Sequence, residues 1–243
     1  PTAYTRLFDR AALGILMNYR QGDDSVLRRD VELGPAIHPA PGVAIVGAGN
    51  FATRTLLPAM AKLDHRPPVG AVASHQGYAA MLAARAIGAQ SATTDGDSVL
   101  RDPSVAAVFI TTRHNSHAVQ AIAALRAGKH VWVEQPLCLK AEELDEIAAT
   151  LSAARTAEGR PVTLMVGFNR RFAPMAVALR DALAKQSGPF KVAITINAGR
   201  LERDHWTLNP AVVGGRIVGE GCHFVDLVRF LAGSPIGTVR CLR

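Results

Sequence analysis

The sequence has few aromatic residues and few cysteines, and it contains no long apolar run. Phe, Trp and Tyr make up only 5% of its 243 residues, and its three cysteines, Cys138, Cys222 and Cys241, lie far apart. An odd number of scattered cysteines excludes a disulfide framework and a CxxC zinc site, so we expect a reducing compartment and a cytoplasmic location. No stretch approaches the roughly 20 apolar residues of a membrane-spanning helix, so we expect no membrane partner.

The rest of the composition indicates a folded protein whose last third is basic. Hydrophobic residues make up 49% of the chain, which is enough for a core and excludes a disordered segment. The net charge is +7, and residues 161–243 carry eleven basic side chains against five acidic ones. These basic residues are single or paired rather than clustered with aromatic residues, which argues against a nucleic-acid partner. We expect instead a basic pocket for an anionic cofactor or an acidic substrate.

A glycine-rich turn follows a short apolar run near the start of the main part of the chain. Residues 43–46, Val-Ala-Ile-Val, are typical of a strand buried in a parallel sheet, and a helical stretch continues to Leu63. The turn between them reads GxGxxA, in which the glycines allow a tight turn and a close approach of a pyrophosphate to the backbone. The alternative is a glycine-rich turn without a ligand. The predicted cofactor-binding residues of this turn are Gly47, Ala48, Gly49, Asn50, Phe51 and Ala52.

Strand and helix patterns then alternate along the chain. The predicted strands are 69–73, 106–111, 131–133 and 162–166, and the predicted helices are 78–87, 116–127 and 141–156. This alternation predicts an α/β fold with a Rossmann-type, doubly wound parallel sheet. The second of these helices is expected to end at Gly128 in a left-handed conformation. Because ligands bind beyond the carboxyl ends of such strands, one neighbourhood is predicted from residues 47–52, Ser74, 111–117 and 134–136.

The residues that follow the second predicted strand bear on the choice of cofactor. An Asp or Glu there would accept hydrogen bonds from the ribose hydroxyls and favour NAD, but this chain has Ser74 and His75. A hydroxyl and an imidazole tolerate a 2′-phosphate. The sequence therefore predicts NADP or NAD as the cofactor, with NADP preferred.

Several short motifs occur in an order that resembles a known family. After the GxGxxA turn come Thr-Thr-Arg-His-Asn-Ser-His at 111–117, Glu-Gln-Pro at 134–136, Gly-Phe-Asn-Arg-Arg-Phe at 167–172 and Gly-Cys-His-Phe-Val-Asp at 221–226. Over about residues 42–236 the chain resembles the Gfo/Idh/MocA family, the glucose–fructose oxidoreductase and inositol dehydrogenase group. The resemblance implies hydride transfer between NAD(P) and a sugar or cyclic polyol, and oligomers formed through an open sheet in a second domain.

Within that family the chain is similar to a bacterial two-part type, in which a zinc-alcohol-dehydrogenase-like half precedes the Gfo/Idh/MocA half. This similarity rests on residues 3–16, on Asp-His-Trp at 204–206 and on residues 215–223. The implied domains are a linker with the tail of a dehydrogenase-like half at 1–40, an NAD(P)-binding Rossmann domain at 41–168, and the start of an incomplete α+β, open-sheet C-terminal domain at 169–243.

The departures from the family pattern bear on the chemistry. Gln135 stands where the resemblance implies a catalytic Lys, and Gly219 stands where it implies an Asp four residues before the active-site His. His223 is retained, and an imidazole can act as the general base that removes the hydroxyl proton. Gln135 can donate a hydrogen bond to the substrate oxygen but carries no charge, so we expect weakened, altered or absent dehydrogenase activity.

The resemblance and the strand-end rule assign the remaining candidates, and no His spacing suggests a metal site. His114 is expected to lie in a loop without a role. The partner implied is a small sugar-like molecule. The cofactor-side candidates are Ser74, Thr111, Thr112, His117 and Glu134, and the substrate-side candidates are Asn169, Arg170, Trp206 and Glu220.

Two other interpretations are compatible with the sequence. Without the Lys and the Asp, the protein could be an impaired NAD(P)-binding pseudoenzyme that serves as a sensor or a scaffold. Residues 238–243 look like a strand that has just begun, which suggests a truncated chain. In that case the protein could be a remnant with an exposed sheet edge, and we expect a homo-oligomer only if the C-terminal sheet is complete.

Overall fold

The structure, a computed structural model, describes residues 28–34, 42–203 and 205–241. Seven strands form its sheet: β1 (Asp30–Glu32), β2 (Gly42–Val46), β3 (Val69–Ala73), β4 (Ser91–Thr93), β5 (Val105–Ile110), β6 (His130–Val133) and β7 (Leu164–Val166). The α-helices are α1 (Leu57–Ala61), α2 (Gly77–Ile87), α3 (Gly96–Arg101), α4 (His114–Arg126), α5 (Ala141–Ala153), α6 (Pro174–Leu183), α7 (Pro210–Val213) and α8 (Cys222–Ala232). Wider π-helical turns at Ala52–Leu56 and Ile217–Gly221 lead into α1 and α8.

The strand order in the sheet is β1-β4-β3-β2-β5-β6-β7, and only β1 runs antiparallel to its neighbour. The expected doubly wound parallel sheet is therefore confirmed. All five residues of β2 are buried, because helices cover both faces of the sheet. Alternate side chains of β2 enter different cores: Ala44 and Val46 pack with residues of α4 and α5, whereas Val43 and Ile45 pack with residues of α1 and α2.

Most predicted elements agree with the observed ones to within about three residues, but two strands and one segment differ. Strands β1 and β4 were absent from the sequence-based prediction, because Asp-Val-Glu and Ser-Ala-Thr contain few of the β-branched and aromatic residues that favour strands. The strand suggested at 238–243 is not formed in its described part. Residues 235–241 are irregular and exposed, and no strand among the described residues pairs with them.

The described residues after β7 form helices and irregular segments and contain no strand. The short 3-10 helix Asn169–Phe172 leaves the sheet, and α6 then packs beside α8. An ion pair joins this 3-10 helix to α8, since the Arg171 guanidinium binds the buried Asp226 carboxylate through two hydrogen bonds. This pair fixes the start of α8 relative to the carboxyl edge of the sheet. None of the helices in the described ranges is long and apolar enough to cross a membrane.

Candidate functional site

A cavity of about 1020 Å³ opens where β2, β3, β5 and β6 end at their carboxyl edge. Segments from four strand ends and from the last third of the chain line it together. This is the neighbourhood that the strand-end rule predicts. The lining residues are Val46, Gly47, Ala48, Gly49, Asn50, Phe51, Ala73, Ser74, His75, Gln76, Ala79, Thr94, Gly96, Thr111, Thr112, Arg113, His114, Asn115, Ser116, His117, Gln120, Glu134, Gln135, Asn169, Trp206 and His223.

The turn after β2 can be made only with glycine at its first position. Gly47 has φ +106°, and a Cβ there would lie 2.7 Å from the backbone carbonyl of Thr111. The turn is held by two hydrogen bonds, one from Gly47 N to Ala73 O at 2.8 Å and one from Thr111 Oγ1 to Gly47 O at 2.7 Å. A Cβ on Gly49, in contrast, would meet no atom of the described residues within 4 Å, apart from its own chain neighbours. Gly49 therefore leaves open space on the cavity side of the backbone.

The helix that follows this turn presents its first backbone amides at the cavity. Its N-terminal N–H groups have no acceptor within the helix, and the helix dipole favours an anion there. Ala52 is buried, with only 1% of its surface exposed, so the helix can approach the sheet closely. Phe51 lines the cavity, and its ring stacks at 6.3 Å on the ring of Trp132 from β6. This end of the cavity has the geometry of a phosphate-binding turn.

At the end of β3, Ser74, His75 and Gln76 line the cavity. The backbone of Ser74 is fixed by a 3.0 Å hydrogen bond from its N–H to Thr93 O of β4. Of the described residues that line the cavity, Glu134 alone is acidic, and it ends a different strand. A phosphate group at the β3 end would therefore meet no carboxylate among the residues that line the cavity there.

His117 is fully buried at the base of the cavity. Its Nδ1 lies 2.8 Å from Pro136 O, and its Nε2 lies 3.1 Å from Thr112 O. Burial lowers the pKa of His117, although both nearby carbonyls oppose that effect. Thr112 in turn donates to Gln120 Oε1 over 2.6 Å. His117 and Thr112 thus tie the start of α4 to the loop after β6 and fix the cavity floor.

Glu134 is a carboxyl group held largely away from water. Its Oε2 accepts a hydrogen bond from Gln135 N at 3.1 Å, whereas its Oε1 is buried without a partner among the described residues. Burial raises the pKa of Glu134 to about 7. Near neutral pH this group can hold or release a proton, as catalytic carboxyls do.

Gln135, which stands at the position of the family's Lys, lines the cavity and is 9% exposed. The Cys222 thiol donates a hydrogen bond to its Oε1 over 2.7 Å. Cys222 was not among the predicted site residues, although it directly precedes His223 in the sequence. Only the fold brings the first residue of α8 against the loop that follows β6.

His223 lies on the first turn of α8 and lines the cavity. The ring of Phe168 meets it edge-on at 6.2 Å, and its Nδ1 is buried without a partner in the described part of the chain. Burial, and then the nearby Arg170, lower the pKa of His223, so the imidazole is neutral at neutral pH. A neutral imidazole with an unpartnered nitrogen can accept a proton.

The expectation that His114 is only a loop residue is wrong. It is the first residue of α4, it lines the cavity, and its ring meets the ring of Trp206 edge-on at 5.5 Å. Burial, and then the neighbouring His117, lower its pKa to about 4. The Arg113 guanidinium also lies 5.5 Å from the centre of the Trp206 ring. Trp206 is therefore held at the mouth of the cavity by groups from the Rossmann part.

The structure brings most of the predicted site residues to the cavity, but not all of them. Asn169 lines it, whereas Arg170 and Glu220 do not. The Arg170 guanidinium lies 4.6 Å from the centre of the Phe224 ring. Glu220 binds Arg216 over 2.8 Å, and its side chain is 44% exposed. Both charged groups are thus engaged outside the cavity.

These features fit a dinucleotide. Gly49 opens space beside helix amides, the β3 end lacks a carboxylate, and unpartnered nitrogen and oxygen atoms of His223 and Glu134 are buried at the other end. Within the described ranges, no cluster of three His, Cys, Asp or Glu side chains could hold a metal ion.

The chain was compared with known proteins. A family model, GFO_IDH_MocA, described as "Oxidoreductase family, NAD-binding Rossmann fold", matches residues 42–168. D-xylose 1-dehydrogenase (NADP(+)) 2 of Haloferax volcanii is 30% identical over 194 residues, which are 79% of this chain and 57% of that protein. Inositol 2-dehydrogenase 2 of Saccharopolyspora erythraea is 30% identical over 199 residues, which are 81% of this chain and 54% of that protein.

Solved structures show the same relationship. A levoglucosan dehydrogenase in complex with NADH and levoglucosan has a TM-score of 0.62 at 26% identity, over 78% of this chain and 53% of that chain. The chain spans about half the length of the curated relatives that it matches.

Proposed function

The chain belongs to the Gfo/Idh/MocA family of oxidoreductases with an NAD-binding Rossmann fold, and we propose that it is an NAD(P)-dependent dehydrogenase. Its substrate is a hydroxyl group of a sugar or a sugar-like polyol. The observation that carries this proposal is the single cavity lined both by the glycine turn after β2 and by His223 of α8. A site that joins a phosphate-binding turn to a neutral imidazole suits a dinucleotide at one end and an alcohol at the other.

In this proposal the glycine turn and the first helix amides hold the pyrophosphate, and Ser74 faces the adenosine ribose. Glu134 contacts the nicotinamide side. When bound, the oxidised cofactor accepts a hydride from the substrate carbon. Thr111 and His117 do not touch the reacting atoms, since their polar groups are engaged with backbone carbonyls. They keep the strand ends in register around the cofactor.

At the substrate end, the neutral His223 accepts the hydroxyl proton and Gln135 donates a hydrogen bond to the same oxygen. A neutral donor stabilises developing negative charge less than a cation does. The proposed rate is therefore lower than that of a site with a Lys at position 135. Trp206 and Asn169 provide an apolar face and an amide for the sugar ring.

The second candidate function is an NAD(P)-binding pseudoenzyme that serves as a sensor or a scaffold. It is favoured by the chain's own substitutions, because Gln135 cannot take a proton and Gly219 offers no carboxylate. Both functions need the nucleotide, so binding of NADPH does not separate them. Turnover does.

The test is therefore made in two steps. Purified protein is titrated with NADPH and NADH by calorimetry, and sugars and polyols are then screened for change in nicotinamide absorbance. Binding with turnover supports the dehydrogenase. Binding without turnover, together with turnover gained in Gln135→Lys, supports the pseudoenzyme. No binding of either nucleotide overturns both.

A preference for NADP forms part of the proposal, because Ser74 stands where a carboxylate would select NAD. We expect NADPH to bind more tightly than NADH, and Ser74→Asp to reverse the order. Thr94→Ser, at the neighbouring strand end, is the matched control, because it keeps both charge and hydroxyl. Equal affinities in the unchanged protein contradict this part of the proposal alone.

The domain organisation is also proposed. Residues 41–168 form the nucleotide-binding domain, and 169–243 are the start of an incomplete substrate domain, which would support homo-oligomers only if its open sheet is complete. Residues 1–40 are proposed to follow a zinc-dehydrogenase-like half, and most of them lie outside the described residues. Limited proteolysis near residue 40, followed by nucleotide titration of the fragment, tests the first boundary.

A further inference from the structure

The Gln135 side chain has two chemically different ends, and the protein engages one of them. Its Oε1 accepts the hydrogen bond from the Cys222 thiol at 2.7 Å. Its Nε2H₂ group forms no hydrogen bond with the described residues, and it is not among their buried unpartnered atoms. Since Gln135 lines the cavity, this amide nitrogen is the end left available to a ligand.

We infer that Cys222 is a positioning residue that holds Gln135 with its Nε2H₂ group toward the cavity, where it donates a hydrogen bond to the substrate oxygen. The second half of the inference, the hydrogen bond from Gln135 to the substrate oxygen, rests on the proposed function. Its first half, the thiol–amide pair, concerns this chain alone. A free carboxamide could turn by half a revolution and present its oxygen instead, which would repel an alkoxide.

The chemistry of the thiol suits this role. A thiol hydrogen can donate to the carboxamide oxygen, and an oxygen can only accept. The turned carboxamide would instead donate an N–H group to sulfur, which is a weak acceptor, so the observed arrangement is the favoured one. A thiolate would have no proton to donate and would instead attract the amide N–H groups. Burial raises the pKa of Cys222 to about 11, and the nearby Glu134 adds to that effect. The thiol therefore stays protonated over the whole neutral range.

Packing alone is the competing explanation for Cys222, which is half-buried at the start of α8. The two explanations differ for Cys222→Ser. A hydroxyl of similar size keeps the donor, whereas Cys222→Ala removes the donor and leaves a small space. A purely apolar role would be served as well by Ala as by Ser, because a buried serine hydroxyl is unfavourable without a partner.

The first experiment needs neither cofactor nor turnover. The infrared S–H stretching band of Cys222 is assigned by its loss in Cys222→Ser, with Cys138→Ser as the control that removes a different thiol. Replacing the acceptor in Gln135→Leu should move the Cys222 band to the frequency of a free thiol. A band that does not move overturns the positioning pair.

The second experiment measures turnover on the substrate found by the screen above. We expect Cys222→Ala to lower kcat by about 3- to 10-fold with little change in KM, because one neutral hydrogen bond oriented for the transition state is lost. Cys222→Ser should restore most of the rate, and Cys222→Ala should have no further effect in a Gln135→Ala background. The inference is overturned if Cys222→Ala lowers kcat equally with Gln135 and with Ala at position 135, or if Cys222→Ser is as slow as Cys222→Ala.

The two experiments separate the possible failures. If the unchanged protein turns over no substrate although the infrared band moves as expected, the proposed dehydrogenase is wrong, and the substrate half of the inference falls with it. If turnover is present but the band does not move, the dehydrogenase stands and the role of Cys222 falls.

Discussion

Replacing Glu134 by Gln should change how the stability of the protein depends on pH. Burial raises the pKa of this carboxyl from 4.5 to about 7, so the folded state binds a proton more strongly than the unfolded state. A group shifted in this direction contributes stability that is fully present below the unfolded pKa and is lost as pH rises through the folded one. Each pKa unit corresponds to about 1.4 kcal/mol, which gives about 3 kcal/mol as an upper bound.

Partial access of solvent from the cavity reduces that bound to about 2 kcal/mol between pH 5 and 8. The amide of Glu134→Gln keeps the shape without the ionisation. The variant should therefore gain stability over the unchanged protein as pH rises, and the difference should level off above pH 8. Urea unfolding at half-unit intervals measures it, with the exposed helix carboxyl in Asp145→Asn as the control. A difference between Glu134→Gln and the unchanged protein that is constant with pH would refute the reasoning.

Three further predictions follow from single contacts. Gly47→Ala should lower the free energy of unfolding by about 2–4 kcal/mol and abolish nucleotide binding, because its Cβ would meet the Thr111 carbonyl; an unchanged urea midpoint contradicts this. Arg171→Met should lower the free energy of unfolding by about 2–3 kcal/mol, because it leaves the buried Asp226 carboxylate without its partner. An equal loss in Arg171→Lys would contradict a stabilising role for the two hydrogen bonds of the guanidinium. As pH falls from 6.5 to 4.5, the melting temperature of His114→Gln should fall less than that of the unchanged protein, because a group with a lowered pKa destabilises the folded state as pH falls. Equal falls in melting temperature for the two proteins would contradict this prediction.

The sequence predicts the sheet of the Rossmann part well because its signals are local. Val-Ala-Ile-Val before the GxGxxA turn identifies β2, and Gly128 ends α4 with φ +71°, as expected. The strand-end rule then brings distant segments into one cavity without any knowledge of their contacts. The short strands β1 and β4 carry no such signal, because Asp-Val-Glu and Ser-Ala-Thr are poor in strand-favouring residues and are specified by their neighbours in the sheet.

The contacts of individual side chains lay beyond sequence reasoning. Glu220 was chosen as the neighbour of Gly219 in the family pattern, and Arg170 because it follows the last predicted strand. Neither lines the cavity, and their contacts are with Arg216 and Phe224. Cys222 was missed because its partner is 87 residues away in the chain. Charge and position in a motif can nominate a residue, whereas the direction of its side chain depends on tertiary neighbours.

The departures from the family pattern fit together in space. A Cβ added at Gly219 would lie 3.2 Å from Val213 O, which is a tight contact, and 3.4 Å from the imidazole of His114, so a carboxylate side chain there would lie beside that ring. Trp206 and burial hold that imidazole in place and keep it neutral. On the other side, the neutral amide of Gln135 has its own anchor in the Cys222 thiol. Of the two replacements, Gln135 has a partner in the Cys222 thiol, whereas Gly219 has no side chain that could have one. Because Gln135 and its thiol partner are both uncharged, we expect a Lys at position 135 to contact a thiol and to find no carboxylate at position 219.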